Sequence, residues 1–401
     1  MPTVRRLGKV ILMSRQLNIA IIGYKFMGKA HSNAYVKAAR FFPLPCSPVL
    51  KVACGRHSKG LADFAKTWNW QETETSWQKV IERPDIDIVD ISSPTWTHKE
   101  IAVAAARAGK HILCEKPTAL NAAEAREMYQ AVKSANVTHA IGFNYRRVPA
   151  VRLAKKLIDS GRLGQIYHWR GAYLQDWIVD PGFPLTWHLR AETAGYGPHG
   201  DLNSHSVDLA RYLVGEIRTV QCTLGRFIRE RPLPDEEKET AFSAAASTGR
   251  GPVTVDDASF MTVEFENGAV GSFEATRFAT GRKNYNSFEI YGSKGSLCFN
   301  LERMNELQFF SRDDAPDSQG FRTILVTEAT HPYISSWWPP GHIIGYEHTF
   351  VHQAADFIRA VYDRADMEPS FYDGLRCMQV LDAAAQSAKE GRRIEVPPGQ
   401  P

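Results

Sequence analysis

The chain has 401 residues, 43% of them hydrophobic and 23% charged, with a formal net charge of +4. That length exceeds one ordinary core and predicts two domains. The charge balance, with no basic stripe or acidic block, excludes nucleic acid and an anionic membrane surface as implied partners. No apolar run approaches a membrane span, and the six scattered cysteines contain no C-x-x-C pair. They fit a reducing cytoplasm rather than a disulfide framework or zinc site.

Residues 1–15 read as a loose extension, with Met13 a candidate natural start; the apolar patch at 10–13 is too short for a secretory core. Strands are then predicted at Leu17–Ile22, Val49–Cys54, Ile86–Ile91, His111–Cys114 and Val137–Phe143. Helical patterns stand between them at Lys29–Arg40, Ser58–Thr67, His98–Ala108 and Ala122–Ser134. Apolar strands alternating with helices mean a parallel, doubly wound sheet with both faces covered.

After residue 160 the pattern changes. A long alternating strand is predicted at Gln165–Gln175, a helix at Leu202–Leu213 and a strand at Val220–Arg229. Residues 230–256 are polar and rich in Pro and Gly, and read as a loop or lid. Phe260–Phe265 and Val270–Thr276 flank Asn267–Gly268, a strong hairpin signal. Phe288–Tyr291 and Ser296–Phe299 form a second hairpin, and helices at Glu347–Tyr362 and Asp373–Glu390 close the chain. The fold class is therefore α/β: an N-terminal Rossmann sheet, then an α+β domain with an open, mostly antiparallel sheet.

The first strand runs into Gly23–Tyr24–Lys25–Phe26–Met27–Gly28 and a helix. Gly23 permits a tight turn, Gly28 allows close helix–strand packing, and the helix N-terminus favours a pyrophosphate. Phe26 and Met27 belong to the same cradle. Lys25 stands where a middle glycine is usual, so a plain strand–turn–helix is the competing reading. After the second strand the sequence is Cys54–Gly55–Arg56–His57, without the acid that pairs with a ribose 2′-hydroxyl. Arg56 can meet a 2′-phosphate, which leans the NAD(P) choice to NADP; an exposed arginine stacking on adenine, with NAD, is the alternative.

Three further segments carry a resemblance: Cys114–Glu115–Lys116–Pro117, Gly142–Phe143–Asn144–Tyr145–Arg146–Arg147, and Asp201–Leu202–Asn203–Ser204–His205–Ser206–Val207–Asp208. In this order they resemble the E-K-P, domain-junction and D-x-x-x-H-x-x-D motifs of the glucose–fructose oxidoreductase / inositol dehydrogenase / rhizopine-catabolism (Gfo/Idh/MocA) family. Within it the chain is most similar to levoglucosan dehydrogenase-like pyranoside dehydrogenases, by stretches such as Tyr173–Leu174–Gln175–Asp176–Trp177. The resemblance implies an extension at 1–15, an NAD(P)-binding domain at 16–143, a substrate and oligomerisation domain at 144–368, and a C-terminal helix and tail at 369–401. It implies a homodimer or homotetramer, a small carbohydrate substrate, and NAD by family habit.

Lys116 follows a strand C-terminus, the ligand edge of such sheets, and its ammonium can stabilise an alkoxide. Asp201 and His205 lie four apart, on one face of a helix, and an imidazole suits proton transfer near neutrality. The plainer reading of that pair is an N-cap beside a core histidine; a zinc site with His199 is a further alternative, which the family's metal-free use of the motif disfavours. Ser93, Pro94, His98, Glu115 and Asn144 are predicted at the cofactor groove. Tyr145, Trp177 and Arg190 are predicted beside the substrate, with Lys116, Asp201 and His205. Aromatics crowd the second domain, among them Tyr196, Trp337 and Trp338. The expected activity is hydride transfer between NAD(P) and a secondary hydroxyl, C3 by preference, of a sugar, anhydrosugar, glycoside or inositol. Glycoside cleavage through transient C3 oxidation is the alternative, and a non-catalytic sensor a third.

Overall fold

The structure, a computed structural model, describes residues 15–234 and 246–399, so most of the expected N-terminal extension and the middle of the expected lid lie outside the described residues. The first sheet contains β1 (Gln16–Ile22), β2 (Ser47–Cys54), β3 (Glu72–Glu74), β4 (Ile88–Ile91), β5 (His111–Cys114) and β6 (His139–Ile141). Its order is β3-β2-β1-β4-β5-β6, and every pairing is parallel. The crossovers are α1 (Phe26–Phe41), α2 (Ser58–Trp68), α3 (Trp77–Glu82), α4 (His98–Arg107) and α5 (Ala122–Ala135).

Strand alternation sorts the side chains. On β1, Leu17, Ile19 and Ile21 face one cluster with α1 and α2, while Ala20 and Ile22 face another with α3, α4 and α5. The second lobe begins with α6 (Pro149–Asp159), which has proline in its first turn, then β7 (Ile166–Leu174). Three short helices follow: α7 (Ala191–Ala194), α8 (Pro198–Asp201) and α9 (Asn203–Leu213). Next come β8 (Ile217–Gly225), β9 (Glu230–Pro234), β10 (Ala246–Pro252), β11 (Ala258–Phe265), β12 (Val270–Thr276), β13 (Tyr285–Gly292), β14 (Gly295–Asn300), β15 (Glu306–Ser311) and β16 (Arg322–Leu325). The chain ends with α10 (Tyr346–Asp363), α11 (Phe371–Glu390) and β17 (Ile394–Glu395).

Among the described residues the second sheet has nine strands in the order β16-β15-β14-β13-β7-β12-β11-β8-β17, with only β7 and β12 parallel. Trp169, Phe273, Phe288, Phe299 and Phe309 pack with side chains from α9 and α11 in one apolar cluster. The same cluster reaches α4 and α5, so one core is continuous between the lobes. Helix α10 lies within the stretch assigned to the second domain, yet Phe350, Phe357 and Ile358 pack among the apolar residues of β1 and α1.

The expected loop at 230–256 is corrected where it is described: β9 and β10 pair antiparallel as a ribbon. Val253 and Val255, just after it, are buried with Ile178, Leu185 and Leu189. Arg231, fully buried, donates to the Ile178, Asp180 and Phe183 carbonyls, binding the ribbon to the 176–199 loop.

Buried charges fasten the elements under the cleft. Arg146 grips Asp208 through two bonds of 2.8 and 2.6 Å and also reaches Asp373 at the start of α11. In the first lobe, His31 of α1 stands between Asp90 (2.8 Å) and Glu115 (3.0 Å), and Tyr35 and Ser92 also donate to Asp90. Burial opposes charging of His31, but the flanking carboxylates outweigh it and raise its pKa from 6.5 to about 10.

Two predictions follow from these pairs. Asp208→Asn leaves the Arg146 guanidinium under-compensated in the interior, and urea denaturation should show a loss of about 3 kcal/mol; a loss near zero would contradict the role. A folded pKa above the unfolded one gives stability that is complete below about pH 6.5 and lost as pH rises through about 10. His31→Asn should therefore lower Tm at pH 7 and flatten its decline between pH 7 and 10; an unchanged slope would contradict the assignment.

Candidate active site

At the C-terminal edge of the first sheet, β1 turns at Gly23, whose φ is +108°. A Cβ there would lie 2.4 Å from the Ser92 carbonyl oxygen, and one at Gly28 would lie 2.3 Å from the Gly23 oxygen. Both glycines are dictated by close backbone approach. Helix α1 starts at Phe26, directly after this turn, and a helix N-terminus at the C-terminal edge of the sheet is a place that fits a pyrophosphate. Phe26 is exposed and Met27 half-buried at this edge.

Tyr24, which the sequence reading passed over, lies across the end of β2. A Cβ on Gly55 would stand 2.3 Å from its ring, and one on Gly60 would stand 3.3 Å from its hydroxyl. The place where an acid would meet a ribose 2′-hydroxyl is thus covered by an aromatic face, and Gly55 leaves room for it. Arg56 follows, exposed, and its charge reaches the Tyr24 phenol.

Lys116 leaves the end of β5 and crosses to the second lobe. Its Nζ donates to Asp201 Oδ1 at 2.6 Å, while Arg277, directly after β12, donates to Asp201 Oδ2 at 2.7 Å. Burial would raise the pKa of Asp201, but the Lys116 and Arg277 cations hold it well below the usual carboxylate value. Burial pulls Lys116 down and Asp201 pulls it up by more, so the ammonium persists above its ordinary pKa. His205, on α9 one turn beyond Asp201, is 4% exposed, and its Nδ1 has no hydrogen-bond partner among the described residues. Burial, then the Lys116 cation, keeps its ring neutral.

Aromatic groups surround this constellation. The Tyr145 ring lies 4.3 Å from that of His205, and its hydroxyl meets Tyr173 at 3.0 Å. Tyr173 donates to Asn284, which also accepts from Gln175, and Gln175 accepts from Trp177. Trp177 lies over the Arg277 guanidinium at 5.1 Å. His188, pushed down to about 3 by burial and the Arg277 charge, stacks on Trp187. Trp187 meets Trp96 of the first lobe edge-on at 5.3 Å, closing the rim of the cleft.

The structure therefore brings Lys116, Asp201, His205, Tyr145 and Trp177 together, and adds Arg277, His188, Tyr173 and Asn284. Other predicted residues are placed differently. His98 is 1% exposed, with both ring nitrogens on the Ser93 and Pro117 carbonyls; it is a strut between two loops, with no atom left for a ligand. Ser93 hydrogen-bonds Thr97, and Pro94 begins the turn at Thr95–Thr97. Glu115 is spent on His31 and the Lys116 amide. The Asn144 carboxamide donates to Thr349 of α10. Arg190 is half-buried at the start of α7, anchored by its backbone. His199 uses its ring nitrogens on Ser259 and the Leu381 carbonyl, which removes it from the alternative metal set. Tyr196 bonds Asp382, and Trp337 packs on Phe41 and Phe42, both away from Lys116. Arg277 had no sequence signal beyond its place after a strand.

Comparison with known proteins agrees with this architecture. The pattern described as oxidoreductase family, NAD-binding Rossmann fold, matches residues 17–143, and the GFO/IDH/MocA C-terminal domain matches residues 151–298. A levoglucosan dehydrogenase of Pseudarthrobacter phenanthrenivorans is 45% identical over 96% of this chain and 99% of its own. A solved structure of levoglucosan dehydrogenase in complex with NADH and levoglucosan superposes with a TM-score of 0.90 at 45% identity, covering 96% of this chain and 100% of the other. An oxidoreductase domain protein from Kribbella flavida gives 0.91 at 48% identity, covering 96% and 100%. With both halves matched, and a shared cleft where the motifs converge, the chain belongs to the Gfo/Idh/MocA family of oxidoreductases.

Proposed function

We propose that the protein is an NAD(P)-dependent dehydrogenase that oxidises a secondary hydroxyl, at C3, of an anhydrosugar or related pyranose, with levoglucosan the first substrate to test. One observation carries the reading: an ammonium from the first lobe and a carboxylate from the second meet at 2.6 Å, with a neutral imidazole one helical turn away. The likeness to a levoglucosan dehydrogenase supports the substrate class.

In this reading His205, neutral at ordinary pH, takes the hydroxyl proton. Lys116 holds the developing alkoxide, and Asp201 fixes the Lys116 Nζ. Tyr145 and Trp177 offer the sugar a phenolic edge and an apolar face. The aromatic rim excludes water, which strengthens each of these charge interactions. Gly23, Gly28 and the first turn of α1 would hold the pyrophosphate, with Phe26, Met27, Ser93 and Pro94 at the groove edge. When bound there, the nicotinamide supplies the acceptor for the carbinol hydride, and the carbinol leaves as a ketone.

For the cofactor we favour NADP, on the strength of Arg56 and of Gly55 in place of an acid. We also assign the protein to the cytoplasm, in keeping with its free cysteines, and to a homodimer or homotetramer. Phe260 and Val270, about half exposed on the open face of the second sheet, are the contact surface we propose. Among the described residues no helix is long and apolar enough to cross a membrane.

With levoglucosan and oxidised cofactor, absorbance of the free reduced cofactor should grow in step with product; redox-neutral cleavage would give product without it. Lys116→Ala and His205→Ala should each lower kcat by about 10³-fold, while fluorescence titration shows unchanged NADH affinity. Full turnover in both variants would reject the assignment. Arg56→Ala should lower the ratio of kcat/KM for NADP to that for NAD by about tenfold; an unmoved ratio rejects the NADP preference.

A further inference from the structure

Arg277 enters the site from the sheet and belongs to none of the motifs that identify the family. Its guanidinium is buried, with 1% of the residue exposed, and only Nη2 is engaged, on Asp201 Oδ2. Nε and Nη1 have no hydrogen-bond partner among the described residues, and the Trp177 indole lies over the guanidinium at 5.1 Å. Leaving two guanidinium nitrogens unsatisfied is costly. A neutral side chain of similar length would fill the space without that cost. What it could not supply is a permanent positive charge beside Asp201.

The charges around Lys116 come from every element packed against it. Asp201 stands at the end of α8, Arg277 after β12, and Glu115 at the end of β5. The neutral titratable groups are His205 on α9, His188 in the 176–199 loop, Tyr145 in the turn after β6, Tyr173 on β7 and Tyr346 on α10. Glu115 is turned to His31, a cation that it shares with Asp90. Without Arg277, Lys116 and Asp201 would be a closed, neutral ion pair. With it, one carboxylate serves two cations, and the group of Lys116, Asp201 and Arg277 carries one excess positive charge where a carbinol would be deprotonated.

We propose that Arg277 is a positioning residue for hydride transfer: by holding one oxygen of Asp201 it aims the other at Lys116 and leaves the pair with the excess positive charge that stabilises an alkoxide. The inference rests on the dehydrogenase reading above. Arginine suits the task because its charge does not titrate in proteins and its planar face stacks on an indole. The sign of the effect is fixed. Removing a neighbouring cation strengthens the hold of Asp201 on the Lys116 proton and disfavours the alkoxide, so both move to higher pH.

The test compares Arg277→Met with Arg277→Lys. The pH profile of kcat/KM with levoglucosan is read beside competitive acetylation of Lys116 by acetic anhydride, followed by mass spectrometry. In Arg277→Met both the acid limb and the labelling curve should move up by about one pH unit or more, with activity at pH 7 down at least about tenfold. Arg277→Lys keeps the charge and should hold both curves close to the native ones while kcat falls severalfold. Unmoved curves in Arg277→Met, or equal displacement in the two variants, overturn the proposal. The labelling curve needs no turnover. A native protein inactive on levoglucosan whose curve still moves therefore defeats the substrate assignment and leaves the role of Arg277 standing. Should Arg277→Met not fold, Arg277→Lys decides alone, and displacement of its labelling curve by a full unit rejects the role.

Discussion

The site depends on one carboxylate. Asp201 receives Lys116 from the first lobe and Arg277 from the second sheet, at 2.6 and 2.7 Å. Two cations around one anion would be unfavourable in a dry interior unless geometry enforced it. Here the lysine is fixed by the end of β5 and the arginine by the end of β12, so the carboxylate joins two rigid edges. Burial first, and then the neighbouring cation, Arg277 for His188 and Lys116 for His205, keeps both imidazoles neutral. In the proposed reaction this trio supplies the preorganised positive charge that an oxyanion formed from a carbinol requires.

The rest of the molecule serves that junction. His98 ties the loop after β4 to the turn after Lys116, and Glu115 ties the same turn to α1 through His31. The helix whose N-terminus fits a pyrophosphate is therefore connected by hydrogen bonds to the strand end that carries the lysine. In the second lobe, Arg146 and Asp208 hold α9 to the interdomain turn, which sets His205 and Tyr145 face to face. Arg231 fastens the ribbon to the loop that brings Trp177 and His188 over the site.

Much of this was legible in the residues. Apolar strands separated by amphipathic helices specify a parallel sheet, and Gly23 and Gly28 mark its tight first turn. Three short motifs pointed to Lys116, Asp201 and His205. What was not legible depended on tertiary partners. His98 and Glu115 looked like groove residues, but their polar atoms are used up on neighbouring loops and helix α1. The ribbon of β9 and β10 read as irregular chain because prolines and glycines interrupt its alternation, and its buried side chains pack on a distant loop. Strand β16 lies at the sheet's edge, where it is largely exposed and lacks a buried alternation. Arg277 was invisible because a single arginine after a strand carries no spacing signal; only the fold places it against Asp201.

The central claim is that a carbinol hydrogen leaves as hydride in this cleft. Levoglucosan carrying deuterium at C3, turned over with oxidised NAD(P), tests it directly by mass spectrometry of the reduced cofactor. The account predicts one deuterium per reduced nicotinamide and a slower rate than with unlabelled sugar. Reduced cofactor free of the label, or product that retains it at C3, would contradict the account.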